Sequence, residues 1–259
     1  MHGSDLVLFR KIHFQKLLPL NQRLIDLSAD LDSHAFLQNP ASQNIYLYLT
    51  DYVSDFSSKW FDRSLRSLKI LDWGCGKGFI TFLLKEMGAG VTSCDVLGNS
   101  DSAFGQNTPI VEAESLEVIC LDHSYLLPFE NESFDVVLSF GVLEHVPHDL
   151  ESLREIHRIL KQGGLFFCFF LPYYLSWTQH LAHLRGNFYH DRLYSKKKVK
   201  QLLEQTNFQI LDIWHRQLFP KNSVAYTNYY QFELLDQWLT ENTFLKYTAT
   251  NIEFVAHKR

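Results

Sequence analysis

From Leu68 onward the chain alternates short apolar runs with amphipathic stretches, and this rhythm restricts the fold more than any other feature. The runs are LKIL (68–71), GVTSC (90–94), LEVIC (116–120), FDVVLSF (134–140) and GLFFCFF (164–170). Each has the length of a strand, and several are apolar on successive residues, as strands covered on both faces are. Between them lie stretches of helical spacing, 79–87 closed by Gly88, and 149–160 with Leu150, Leu153, Ile156 and Leu160 on one face. Gly163-Gly164 then reads as the stop signal of the second helix. Parallel strands need a crossover of a dozen or more residues, usually a helix, so the alternation predicts a parallel sheet flanked by helices. A further helix is expected at 195–206, strands at FQILDIW (208–214) and IEFVA (252–256), and an amphipathic stretch at QFELLDQWL (231–239). Ile45, Leu49, Tyr52, Val53 and Phe56 recur at helical spacing ahead of the first run. The expected division is a helical segment, 1–59, serving as lid or partner surface, and a sheet domain, 60–259.

The junction after the first run reads DWGCGKGF, with Gly74, Gly76 and Gly78 at alternate positions. Glycine weakens regular structure by roughly 1 kcal/mol per residue, so three together imply that something approaches the backbone closely. Open parallel sheets bind ligands beyond the carboxyl ends of their strands. The residues there are Asp72 after the first run, Asp95 and Val96 after the second, Asp122 and His123 after the third, and Phe140 at the end of the fourth. A dinucleotide site would need G-x-G-x-x-G, but the third glycine of that pattern falls on Phe79. Three carboxylates on one rim suit a nucleoside that carries a cationic amino acid and no phosphate. Asp72 would face its ammonium, Asp95 its ribose hydroxyls and Asp122 its adenine amino group.

These residues resemble the class I S-adenosylmethionine-dependent methyltransferases, in particular the type 11 group with small-molecule acceptors. The likeness runs in order through ILDWGCGKGFIT, VTSCDV, CLDHSYLLPFENESFDVVLSFGVLEHV and LREIHRILKQGGLFF, about residues 68–171. It implies a Rossmann-like α/β fold, a seven-stranded mostly parallel sheet with helices on both faces and the last strand antiparallel. It also implies S-adenosyl-L-methionine as cofactor, S-adenosyl-L-homocysteine as product, and cofactor contacts at Asp72, Gly74, Gly76, Gly78, Asp95, Val96, Asp122, His123 and Phe140. The expected reaction is methyl transfer to an oxygen or nitrogen of a small organic acceptor. A non-catalytic cofactor-binding or interaction protein on the same fold, or a methyltransferase acting on a protein, are the alternatives.

A proton acceptor for such a reaction is expected at His145, in LEHV just past the fourth run, or at His190, in the insert after the fifth. Sequence leaves each of them open to a purely structural reading, which for the loop residue His190 is the favoured one. Ubiquinone-pathway O-methyltransferases resemble this stretch as E-V-x-E-H-V, where the acids and the histidine can hold a divalent metal. Here the first acid is Gly141, which leaves Glu144 and His145, so no metal is expected. The insert 172–194 follows the fifth run, where an acceptor pocket would open. Tyr173, Tyr174 and Trp177, with Phe188 and Tyr189, are its candidate lining, against the plain alternative of packing. Tyr46 and Tyr48 are candidate lid contacts. Lys196, Lys197 and Lys198 stand at the positive end of a helix, as a solvated face or as attraction for an anionic acceptor.

The chain has 259 residues, a net charge of −5 and four scattered cysteines without a CxxC pair. The charge argues against a nucleic-acid partner, and the cysteines against a zinc site or a disulfide framework. The longest apolar run, LFFCFFL, is too short to span a bilayer. A cytoplasmic protein with a small-molecule acceptor, and neither nucleic-acid partner nor membrane span, is the expectation.

Overall fold

The computed structural model describes residues 40–96, 109–123, 125–186, 190, 192–219 and 229–259, with a few isolated positions between 19 and 26. Seven strands form one sheet: β1 (Lys69–Trp73), β2 (Gly90–Val96), β3 (Val118–Leu121), β4 (Phe134–Phe140), β5 (Leu160–Pro172), β6 (Phe208–Arg216) and β7 (Asn251–Lys258). Their order is β3-β2-β1-β4-β5-β7-β6. The pairs β1–β2, β1–β4, β2–β3 and β4–β5 are parallel, whereas β7 runs antiparallel to both β5 and β6. The expected architecture, with an antiparallel last strand, is therefore present. The order reverses between β1 and β4, and the crevice for a ligand opens there.

The helices are α1 (Pro40–Phe61), α2 (Phe79–Glu86), α3 (Pro109–Ala113), α4 (Asp149–Ile159), α5 (Trp177–Leu184), α6 (Lys196–Gln205) and α7 (Tyr229–Asn242). Short 3₁₀ turns occupy Leu65–Ser67 and Phe244–Thr248. Alternate residues of β4 feed opposite faces of the sheet, as the pleat requires. Val137 packs with Ile156 of α4 and Leu203 of α6, while Val136 and Leu138 pack with Ile45, Leu49 and Val53 of α1 and Leu84 of α2. The inner face of α1 thus shares one core with the sheet. Residues 79–84 of α2 are all buried, which is how a helix reads when elements cover it on every side.

One local expectation fails. Gly163-Gly164 does not stop a helix, because α4 ends at Ile159 and the chain is already in β5 at Leu160. The glycines sit inside the strand at a shift of register, where Phe134 faces Leu160 but Val136 faces Leu165. A side chain on Gly164 would meet the Lys161 carbonyl oxygen at 2.8 Å, so the bulge, not a helix cap, is what needs this glycine. The carboxyl end of the sheet also closes with a bulge. Register shifts between Cys168 and Leu171, and Phe170 adopts φ +63° beside Gly141.

Candidate active site

The glycine loop bridges β1 and α2 at the switch point. It turns by donating the Gly74 and Cys75 N–H groups to the Cys94 carbonyl of β2. Gly74, Gly76 and Gly78 hold φ of +73°, +51° and +82°, all in the left-handed region that favours glycine. Two of them have a reason to be bare within the chain itself. A Cβ on Gly74 would lie 2.5 Å from Val142 Cγ2, and one on Gly78 would lie 2.9 Å from Leu116 Cδ1. Their bareness answers to packing within the chain. Lys77, between the glycines, is buried, and desolvation pushes its ammonium below the ordinary lysine value.

The two carboxylates beside the loop differ in setting. Asp72 is 1% exposed and accepts the Thr81 hydroxyl at 2.7 Å. Burial raises its carboxyl from 3.8 to about 6, with the Asp95 charge adding to the rise. Asp72 therefore lies beneath the loop, not on its surface. Asp95 is half-buried and accepts the Gly76 N–H at one oxygen and its neighbour Val96 N–H at the other, each at 2.7 Å. Each oxygen keeps a further lone pair for a hydroxyl. Asp122 and His123 are exposed beyond β3, with the His123 ring 5.5 Å from that of Tyr125. Phe140 packs against Phe169 at 4.7 Å and against Tyr46 of α1 at 6.2 Å.

Opposite the loop, Glu144, His145 and His190 converge. Glu144 is buried, its Oε1 lies 3.8 Å from His145 Nε2, and burial pushes its carboxyl up to about 8. The His145 and His190 rings are 5.5 Å apart. One ligand atom from each of the three residues falls within 4.8 Å of the others. Gly141 leaves two donors in this stretch of sequence, and His190 brings a third from another part of the chain. Two residues missed in the sequence bring it there. Arg192 donates to the Val146 and Pro147 carbonyls at 2.6 and 3.0 Å, and the buried Tyr194 donates to the Leu143 carbonyl at 3.2 Å. No local sequence signal marks that pairing, since it joins segments 45 to 51 positions apart. Tyr46 reaches the same space from α1, where burial and then the charges of Glu144 and Asp72 hold its phenol protonated well beyond the usual range.

Of the candidate acceptor contacts, Tyr173 and Tyr174 pair with Tyr194 through the backbone. Tyr173 is buried with its ring 5.1 Å from Tyr174 and 4.6 Å from His215, and Trp177 donates its indole N–H to the Leu218 carbonyl. These contacts run toward β6 and the C-terminal segment. Phe188 and Tyr189 lie outside the described residues. The three lysines divide as well. Lys196 donates to the Ile213 carbonyl, Lys198 stands over the Tyr194 ring at 4.2 Å and 3.6 Å from Asp149, and Lys197 is exposed. They form no single charged face. Tyr48 lies under Arg216, which pairs with the buried Glu253 of β7.

The family model described as a methyltransferase domain matches residues 71–168, from β1 through the glycine loop, the acidic strand ends and Glu144-His145 into β5. That segment is similar to a methyltransferase domain. The ubiquinone biosynthesis O-methyltransferase of Roseobacter denitrificans is 33% identical over 129 residues, 46% of this chain and 49% of that protein. The protein of the same description from Ruegeria pomeroyi is 36% identical over 132 residues, with the same shares. The chain spans about half the length of the curated relatives it matches. Two solved structures carry the likeness across the whole fold. A putative sarcosine dimethylglycine methyltransferase from Galdieria sulphuraria superposes with a TM-score of 0.56 at 17% identity, covering 92% of this chain and 97% of that one. A possible histamine N-methyltransferase from Thermotoga maritima gives 0.53 at 13% identity, covering 95% and 98%. The matched segment thus lies within a fold that these structures share over most of the chain. Among the described residues no helix is long and apolar enough to cross a membrane.

Proposed function

We propose that this chain transfers the methyl group of S-adenosylmethionine to an oxygen or nitrogen of a small organic acceptor. The observation that carries the reading is the pairing of two sites across the β1–β4 crevice, the acid-flanked glycine loop on one side and Glu144, His145 and His190 on the other. The cradle fits a cationic nucleoside. Asp72 and Asp95 are both raised by burial, so a positive group nearby would relieve them. When bound, S-adenosylmethionine supplies a sulfonium methyl that is already activated. The chain's own work is then alignment, which supplies roughly 7–11 kcal/mol in well-oriented reactions. Asp95 holds the ribose, Phe140 and Tyr46 wall the cofactor from the α1 side, and His145 or His190 takes the proton that the acceptor loses. The Roseobacter and Ruegeria relatives are O-methyltransferases by name, which favours oxygen as the acceptor atom.

Titration calorimetry tests the first half. S-adenosylhomocysteine should bind and NAD should not, and Asp95→Ala should weaken binding about 10- to 100-fold, the worth of hydrogen bonds to a charged group. Equal affinity in the variant would remove the cradle. His145→Ala should lower kcat by about 10²- to 10⁴-fold if the imidazole is the base, with cofactor affinity kept. An unchanged rate would return His145 to a structural role.

The three-donor cluster favours one second reading, in which Glu144, His145 and His190 hold a divalent cation that orients the acceptor. Activity lost in EDTA and restored by one particular ion would select it over the base. The four cysteines stand as free thiols and the net charge is acidic, which supports a cytoplasmic protein without a nucleic-acid partner.

A further inference from the structure

Lys77 carries a charge that the described residues leave unanswered. Its side chain is only 6% exposed, and its Nζ is covered and has no hydrogen-bond partner among them. A lysine stem is often buried while its ammonium snorkels to water, but here the ammonium is covered as well. Burial alone shifts it, with no carboxylate pulling against the cost. The acids nearest in sequence and fold give it no help. The Asp95 charge raises Asp72, and no cation eases either of them. A buried ammonium without an anion beside it is one of the costliest arrangements a fold can keep.

The backbone decides where this charge stands. Gly76 and Gly78 hold φ of +51° and +82° on either side of Lys77, and Gly78 is the N-cap of α2. Glycine offers that helix end no side-chain oxygen, and the first turn of α2 carries no acid. The partial positive charge of the helix N-terminus therefore adjoins the lysine. On the other flank the Gly76 N–H is already given to Asp95, and Asp72 is taken by the Thr81 hydroxyl. The loop thus sets two acids, on β1 and β2, beside one cation at the start of α2, and no ion pair among the described residues joins them.

S-adenosylmethionine has the matching inventory. Its ammonium and sulfonium suit the acids and its ribose hydroxyls suit Asp95, but its α-carboxylate, the one anion it carries, would be repelled by a rim of acids. We infer that Lys77 binds that α-carboxylate, an inference that rests on the cofactor reading proposed above. The lysine then gains the counter-charge it lacks, in a charge-assisted hydrogen bond. With Asp95 at the ribose and Lys77 at the carboxylate, the amino-acid arm is fixed at its far end, and the sulfonium between the two is placed with it. A pyrophosphate would also find the lysine and the helix N-terminus, but it would meet Asp72 and Asp95 with the wrong sign.

Titration calorimetry of the full chain tests this with two ligands, S-adenosylhomocysteine and decarboxylated S-adenosylhomocysteine, which differ only in the carboxylate. The wild type should prefer the first by about 10- to 100-fold, the worth of a hydrogen bond between charged groups. Lys77→Met should bind S-adenosylhomocysteine more weakly by the same factor and the decarboxylated compound as the wild type does. The free Lys77→Met protein should also melt higher than the wild type, because an unpaired buried charge has gone. Lys77→Gln repeats the comparison with a polar side chain, so a folding defect peculiar to methionine does not blind the test. Failure of the wild type to bind S-adenosylhomocysteine would overturn the cofactor reading and this inference with it. Binding by the wild type with no loss in either variant, or with equal losses for both ligands, would overturn this inference alone and leave the cofactor reading standing.

Discussion

Replacing Gly74 with alanine is expected to destabilise the fold by about 2–5 kcal/mol and to disturb the segment that carries His145. Two costs add. The residue holds φ +73°, where a side chain costs about 1–2 kcal/mol. The new methyl would also stand 2.5 and 2.7 Å from the two Cγ atoms of Val142, a stiff β-branched side chain that has no flexible end to swing away. Overpacking of that kind costs about 1–3 kcal/mol. Val142 sits between Gly141 and Glu144, so relief by movement would shift the Glu144-His145 turn, and turnover should fall with stability. Urea denaturation of Gly74→Ala and of Gly74→Ala with Val142→Ala separates the terms. The double variant should recover the steric part and keep the backbone part. A single variant as stable as the wild type would show that the loop and the His145 turn are not wedged together.

Asp72→Asn is expected to move stability and cofactor affinity in opposite directions. Burial raises the Asp72 carboxyl from 3.8 to about 6, so the native state holds its proton more tightly than the unfolded chain does. Folding is therefore favoured as pH falls from above 6 toward 3.8, and the buried charge costs about 3 kcal/mol at neutral pH. Asparagine keeps an oxygen for the Thr81 hydroxyl and removes the charge. The variant should melt higher than the wild type at pH 7.5, with the gain shrinking to nothing near pH 4. It should also bind S-adenosylhomocysteine less well than the wild type, because the field beneath the loop is gone. Such opposition is what a functional charge kept in the core produces. A variant less stable at pH 7.5, or one with a pH-independent difference, would show that Asp72 is retained for packing.

The sheet, its flanking helices and the loop were legible in the chain because they rest on local regularities. Apolar runs such as FDVVLSF declare a two-faced buried strand, and Gly74, Gly76 and Gly78 declare positive φ, both within a few residues of sequence. Gly163-Gly164 shows the limit of that legibility. The pair reads equally as a helix stop or as a bulge, and only the pairing of β4 with β5 selects the bulge.

What remained hidden depends on contacts between distant segments. His190 meets His145 because Arg192 and Tyr194 tie the insert to the turn after β4, and neither side of that tie carries a pattern of its own. Lys196, Lys197 and Lys198 are one run in the chain but three different environments once α6 packs against β6. The sequence by itself determined which elements exist and where backbone had to be bare, since period and conformational freedom are properties of neighbouring residues. Which carboxylate would lie beneath the loop, which histidines would meet and which apolar side chains would face outward were decided by tertiary packing. Burial and distance belong to the fold as a whole.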